Sequence, residues 1–590
     1  MRYKSTLIAV SAVSVLALSA CGGSGSSTAG GTPTDNTSDI ANTGGNTDPT
    51  AKGPVSISGA AKGGTVTVLT STGLTTTLDP SEVYYTDTAS IMSGLVVRSL
   101  TQYKYDPAKK QMVLVPDLAT DLGQPNSDFT EWKFTIRDGV KWENGDPVTA
   151  KDVLFGIQRS MDAKAFPTGA GQVYSNVYFK GGSTYGGPYS DPKGKFQAAT
   201  LSGNTITIHM DKPFPDMPFW GAFPAMGPIP SGSASDPAQY KKHPLATGPY
   251  MFKKYTAAKE LVLVKNPNWD PNTDAARTQY PDEYDFKASQ QSDKIDQIML
   301  ADSGAGQTTL TYDDLLAPDY QKMKTQSPER LTLGGSPCTY YYAPDNRKIT
   351  DINVRKALSW AFPYKNIVLA AGAIPGVTAI PATNLMPPGI PARTEYNVTG
   401  RQPFQTDPNK SKALLKAANA MGYEIKFLFR QDDPVSVQTK NALVKGLTEG
   451  GFKPTPVASS TAKYAEDRAN PKEDINIRSA GWCSDWLSGA TWIPPLFQNT
   501  NPDKTGSLGN NYAALNDPAV NKKISDIQAL PLADQPAAWN ALDKEIAEKD
   551  FPLFTTYYTG IAQAHGSKIN GDNDDNGFGM PTWKDMWVSQ

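Results

Sequence analysis

Histidine is nearly absent: His209, His243 and His565 are the only three in 590 residues. They lie far apart and none has a partner at metal-ligand spacing, which argues against a zinc site built on histidine. Charge is sparse as well, at 19% of residues against the ~25% of an average soluble protein. The 56 Lys and Arg nearly cancel the 58 Asp and Glu, for a formal net charge of −2, and no basic run follows the first few residues. Nucleic acid is therefore not expected as a main ligand. Long apolar runs are missing too: beyond residue 21 no stretch reaches the ~18 consecutive apolar residues of a membrane helix. Nor is there a Gly-x-Ser-x-Gly elbow, a P-loop or a His-Glu-x-x-His pair.

Glycine and proline are plentiful instead, 50 and 47 of them, and the chain reads as loop-rich. At ~100 to 200 residues per domain, a chain of this length forms about three or four compact units, with room for a cleft between lobes. Arg2 and Lys4 precede an uncharged run from Leu7 to Ala20, the core of a signal peptide. It ends in Leu18-Ser19-Ala20-Cys21 followed by Gly22-Gly23, which resembles the bacterial lipoprotein box. Residues 1–21 are thus expected to be a lipoprotein signal peptide, with Cys21 acylated and its lipid the only membrane anchor; ordinary secretion is the alternative. Residues 22–62 hold almost nothing apolar and are expected to be a flexible linker.

Two cysteines remain, Cys338 and Cys483. In an oxidising compartment they are most simply a disulfide, with two separate buried thiols as the alternative. Closing so long a loop contributes roughly 5 kcal/mol in the chain-entropy picture.

Along the body, Thr65-Val66-Thr67-Val68-Leu69 reads as a first strand that runs into a loop ending in Leu78-Asp79-Pro80. Trp132, Phe134 and Ile136 alternate as a strand, and Thr149 caps a helix with Asp152 three residues on. Ile206, Ile208 and Met210 alternate next, and the proline-rich stretch Pro213 to Pro230 suggests a domain crossing. Leu261 to Val264 predicts a strand, and Asp351 caps a helix bearing Val354, Ala357, Leu358 and Ala361. A helix from Lys412 to Met421, ended by Gly422, precedes a strand of Ile425, Phe427 and Phe429, and Trp539, Leu542 and Ile546 line a late helix. The pattern is that of an α/β protein with mixed sheets and no fixed repeat.

Five ordered blocks together resemble the family-5 solute-binding proteins of bacterial ABC importers. They are Leu78-Asp79-Pro80; Trp132-x-Phe134-x-Ile136-Arg137-Asp138-Gly139 through Asn144-Gly145-Asp146-Pro147 to Asp152-Val153; Ala246-Thr247-Gly248-Pro249-Tyr250 with Asn266-Pro267; Val354-Arg355-Lys356-Ala357-Leu358; and Gly481-Trp482-Cys483-Ser484-Asp485. The resemblance implies a type II periplasmic-binding-protein-like fold with two lobes and three domains. Domain I would comprise residues 63–98, 229–335 and 559–590, domain II residues 99–228, and domain III residues 336–558, with the ligand enclosed between the first and third by hinge closure.

Cys338-Thr339-Tyr340-Tyr341-Tyr342 and Ala480-Gly481-Trp482-Cys483-x-Asp485 resemble the oligopeptide-binding branch. That resemblance implies a disulfide between Cys338 and Cys483, a strand of Ala480, Gly481, Trp482 and Cys483 pairing with the ligand backbone, and Asp485 receiving the ligand ammonium. The chemistry is sound, because backbone amides and the ammonium are what all free peptides share. Trp482 and Trp486 would exclude water around that charge, and Tyr84 and Tyr85 join the candidate ligand contacts. Arg478 sits one residue away from the family's pocket arginine, which on a strand turns a side chain to the opposite face. Arg468 lies near another family arginine with two extra residues between, and nothing aligns for the ligand's carboxylate.

The expected protein is a peptide receptor, anchored by lipid outside the bacterial cell membrane, that delivers its cargo to ABC permease subunits. It would be a monomer with no cofactor and no catalysis. The alternatives are the same fold holding an oligosaccharide or nickel chelate, and, in another class, a secreted hydrolase with a carboxylate dyad. Asp572-x-Asp574-x-Asn576-Gly577 copies the opening of an EF-hand loop, but position twelve is Trp583, and a surface turn is the preferred reading.

Overall fold

The computed structural model describes residues 46–590 apart from 75–76, 232–235, 500–501, 503–505 and 576. The expected signal peptide, Cys21 and the linker as far as residue 45 lie outside the described residues. From residue 46 the linker reading is corrected. The backbone around Asn46 and Asp48 pairs with Leu114 (Leu114 N–H to Asn46 O 2.9 Å, Asp48 N–H to Leu114 O 2.8 Å), and the Ile57 N–H donates to the Tyr280 hydroxyl at 2.9 Å. Pairing of this kind uses the main chain and needs no apolar side chains, so a polar composition did not reveal it.

A first, mixed sheet is built from β1 (Thr65–Leu69), β2 (Tyr250–Thr256), β3 (Glu260–Lys265), β4 (Glu283–Lys287) and β5 (Thr309–Thr311), in the order β5-β1-β4-β3-β2. β1 runs parallel to β4 and β5, and β3 is antiparallel to β4. Val66, Val68, Leu261, Leu263 and Phe286 fill its core, capped by Trp583 from the C-terminal segment.

A second core spans residues 100 to 226. Its strand Glu131–Thr135 points Trp132 and Phe134 inward and Lys133 and Thr135 outward. The helix Ala150–Ser160 opens with the expected capping box, in which the Thr149 N–H donates to Asp152 Oδ2 at 2.8 Å and Thr149 Oγ1 accepts from the Asp152 N–H. The proline-rich stretch expected to cross between domains packs here: Phe214, Met217, Phe219, Trp220 and Phe223 are buried in this core.

The seam between these two cores is ionic. Arg98 Nε meets Asp117 Oδ1 at 2.6 Å, and Arg277 Nη1 lies 3.0 Å from Asp117 Oδ2 and 3.1 Å from Asp274 Oδ2, all four side chains fully buried. Burial opposes the charge on Asp274, but Arg277 and Arg98 outweigh it and hold the carboxyl down to about 2.

The third region has a four-stranded sheet of β6 (Leu331–Pro344), β7 (Ala379–Pro381), β8 (Ile477–Cys483) and β9 (Phe554–Ala564), in the order β7-β9-β6-β8. The long strands β6 and β9 carry the chain across. β6 starts with Leu331 and Leu333 beside Met299 and Tyr320 and ends with Tyr341 and Ala343 in a core shared with Trp492 and Trp539. A parallel pair, Glu424–Arg430 with Lys453–Ser459, builds the adjoining core with Leu358 and Leu447. The helix expected at Lys412 to Met421 instead runs Pro408–Ala417: Asp407 caps it two residues before Asn409, and Asn419, with a φ of 51°, takes the left-handed turn ahead of Gly422.

Candidate functional site

Among the described residues β8 pairs on one side only. Its register on β6 sets Cys338 against Cys483, Tyr340 against Gly481 and Ala343 against Arg478, and Cys338 and Cys483 are joined by a disulfide. Alternation along β8 sorts its side chains. Ala480 is buried in the third core, the Trp482 indole donates to the Thr491 carbonyl at 2.6 Å, and Arg478 Nη1 lies 2.9 Å from Asp345 Oδ2 with both side chains fully buried. Arg478 is thus turned from the cleft into a structural ion pair, as its one-residue displacement implies, and its placement among the candidate ligand contacts is corrected. On the other face, Ser479 and Gly481 border a cavity of about 310 Å³. At Gly481 a Cβ would stand 2.9 Å from the Tyr340 ring, so a larger residue would displace that wall.

Arg468 reaches the same cavity from the helix Tyr464–Ala469. Its Nη1 donates to the Ser479 carbonyl at 3.3 Å, and its guanidinium lies over the rings of Tyr512 and Tyr464 at 4.7 and 5.6 Å.

Two residues past β8, Asp485 stands where the three regions converge. The Tyr84 hydroxyl, from the first, donates to Asp485 Oδ2 at 3.1 Å, and the Tyr174 hydroxyl, from the second, donates to the same oxygen. Burial pushes the Asp485 carboxyl up to about 6 against the pull of the two tyrosines, and no cation among the described residues assists them. Its neighbour Trp486 is inserted into the second core, the indole donating to Asp216 Oδ1 at 2.9 Å and the ring centred 4.6 Å from that of Tyr174. Asp216 is likewise raised to about 6 by burial, against hydrogen bonds from Trp486 and Ser488. Tyr85 is 58% exposed beside Tyr84.

The structure therefore brings Asp485, Trp486 and Tyr84 together, and places Ala480, Gly481 and Arg468 along one cavity. Tyr174 and Asp216 escaped the sequence reading. Tyr174 lies 311 positions from Asp485 in a stretch without a motif, and only the fold joins them.

The EF-hand-like segment leads into a half-buried hairpin turn, Asp574–Asp575 pairing with Met580–Pro581, and its aspartates are engaged by protein. Asp572 Oδ2 accepts from Thr332 Oγ1 at 2.7 Å, Asp574 Oδ2 from the Gly335 N–H at 3.1 Å, and buried Asp575 faces Lys584 at 3.8 Å. The three carboxylates thus serve separate partners, and Asn576 lies outside the described residues. Among the described residues no group of three or more His, Cys, Asp or Glu could hold a metal ion.

The family of bacterial extracellular solute-binding proteins, family 5 Middle, matches residues 113–504. The chain belongs to it. Among family-5 relatives, the periplasmic oligopeptide-binding protein OppA of Salmonella typhimurium is 22% identical over 448 residues, covering 73% of this chain and 77% of that one. The periplasmic murein peptide-binding protein MppA of Escherichia coli is 24% identical over 457 residues, 74% of this chain and 78% of that one. Among solved structures, the clavulanic acid biosynthesis oligopeptide binding protein 2 superposes with a TM-score of 0.79 at 22% identity, covering 92% of this chain and all of that one. The OppA of Haemophilus influenzae, in complex with RPPGFSPFR, gives 0.68 at 18% identity over 90% of this chain and 100% of that one. The fold is accordingly the type II periplasmic-binding-protein-like α/β fold. No helix among the described residues of this family-5 protein is long and apolar enough to cross a membrane.

Proposed function

We propose that this chain is an extracytoplasmic receptor that captures peptides between its lobes and hands them to the permease subunits of an ABC importer. The observation that carries this reading is Asp485, a half-buried carboxylate held by two hydroxyls and no cation at the convergence of three cores, just past a strand with an open edge. An extended peptide can add to that edge along Ala480, Gly481, Trp482 and Cys483 through main-chain hydrogen bonds, which bind many sequences alike. Its α-ammonium then supplies the counter-charge that Asp485 lacks, beside the Tyr84 and Tyr174 hydroxyls and the exposed ring of Tyr85. Nothing in this scheme makes or breaks a bond, and the protein acts by binding alone.

For the domains we take residues 63–98, 229–335 and 559–590 as the first, 99–228 as the second and 336–558 as the third, a division that the separate first and second cores support. β6 and β9 then act as the hinge strands across which the lobes close. Acylation of Cys21 anchors the receptor to the outer face of the membrane, where it works as a monomer.

Calorimetry on one tight-binding peptide and its N-acetylated twin tests the reading. Acetylation removes the ammonium and is expected to weaken binding by about 10²- to 10³-fold, the equivalent of leaving one member of a buried ion pair alone. Equal affinities would take Asp485 out of the site and return the solute to an oligosaccharide or chelate.

A further inference from the structure

The cavity beside β8 has a wall chemistry that the capture of backbone and ammonium does not use. It sits on the face of the sheet that carries Tyr340, Ser479, Gly481 and Tyr557, beneath the helix Pro434–Glu449. Three cations line it, Arg430, Lys440 and Arg468, and no carboxylate does. Arg430 is partly neutralised from outside the wall by Asp433 at 2.7 Å. Lys440 rests over the Phe429 ring at 4.9 Å. Arg468 spends one nitrogen on the Ser479 carbonyl, lays its plane on two tyrosines, and keeps its buried Nε without a partner. Its guanidinium is a fork of several N–H donors, and a ligand carboxylate in the cavity can take those that face it in a charge-assisted bond. The rings of Tyr340 and Tyr557, stacked with centroids 4.9 Å apart, floor the cavity.

The carboxylate has two possible sources, the ligand's C-terminus or an acidic side chain, and the sheet geometry favours the second. A strand added to the edge of β8 sends alternate side chains to the two faces of the sheet, whereas its backbone and termini continue along the edge. The cavity opens on a face. Resting on the proposed peptide function, we infer that this cavity is a specificity pocket that selects peptides carrying Asp or Glu at the position whose side chain points into it.

The test walks a glutamate through each position of tetra-alanine and compares each peptide by calorimetry with its Gln and Lys counterparts, and each of these with a C-terminally amidated twin. At one position Glu is expected to bind about tenfold or more tighter than Gln, as a buried charge-assisted bond exceeds a neutral one, with Lys weaker still. Amidation should leave that preference intact. The Glu-over-Gln ratio should shrink in both Arg468→Gln and Lys440→Gln, and the second variant reads the pocket even if the first folds poorly. Glu and Gln binding alike at every position, or Lys matching Glu, would overturn the inference while leaving peptide capture standing. A loss confined to the amidated twins with Glu and Gln equal would also overturn it, assigning the cations to the ligand's C-terminus. If no peptide of the series binds, the proposed function fails and the pocket assignment falls with it.

Discussion

At the seam between the first and second cores, Asp117 and Asp274 are buried with two arginines already in contact. At the seam between the second and third, buried Asp216 and half-buried Asp485 have tyrosine, tryptophan and serine partners only. The same residue type is driven in opposite directions, Asp274 down to about 2 and Asp485 up to about 6. A carboxylate whose counter-charge belongs to the chain is a fastener. One whose counter-charge must arrive from outside is a receptor, and it costs stability until it is filled.

The largest expected effect comes from breaking the fastener. Arg277→Met strips Asp117 and Asp274 of a guanidinium, and urea unfolding should show a loss of about 3 to 5 kcal/mol. Peptide affinity of the folded protein should stay unchanged, and a variant as stable as the parent would deny the ionic seam its role. Slightly smaller and opposite in kind, Asp485→Asn should cut peptide affinity by about 10²- to 10³-fold in calorimetry. Its unfolding midpoint should hold or rise, because a neutral amide is cheaper to bury there than a carboxylate.

Acidity separates the two seams further. Binding an ammonium favours the ionised form of Asp485, so the complex holds fewer protons than the free protein. Affinity is full above about pH 6 and falls as pH drops through that value, by up to about tenfold per unit. Asp216 titrates in the same range, and the Asp485→Asn profile isolates its share. Asp274 behaves otherwise. Its folded value lies below the ~3.9 of an unfolded aspartate, so its contribution to stability, about 2 to 3 kcal/mol, is complete above that and is lost as pH falls through about 2. The smallest effect belongs to Tyr174→Phe, which removes one of two hydrogen bonds to Asp485. It should cost about 0.5 to 1.5 kcal/mol of affinity near neutrality and move the acid midpoint upward, and an unmoved midpoint would count against the bond.

Local devices were legible in the sequence. The Thr149–Asp152 capping box, the alternation of Trp132 and Phe134 and the cap at Asp351 each depend on residues within a few positions of one another. The disulfide was legible for another reason, since only two cysteines remained to be paired. Of the site, Asp485 stood out through its motif, but its state did not. The hydroxyls that hold it come from 401 and 311 positions away, and its isolation from cations is a property of packed surfaces. The Asn46–Ile57 segment was misread because composition reports side chains, whereas that segment is held largely through main-chain groups. The EF-hand-like run was read as a surface turn from its Asp, Asn and Gly, and it does lead into a turn, but its aspartates are drawn to protein partners that composition did not reveal.

The disulfide at the end of the β6–β8 ladder carries a consequence for selectivity. Along β8, Arg478 and Trp482 face protein while Ser479 and Gly481 face the cavity. Sliding the strand by one residue would exchange the two sets, thrusting a guanidinium and an indole into the cavity. Hydrogen bonds alone repeat along a ladder and tolerate such a slide, but a covalent link between Cys338 and Cys483 does not. It works as an index pin, and an oxidising environment thereby protects which side chains face the cavity as well as how firmly the fold holds.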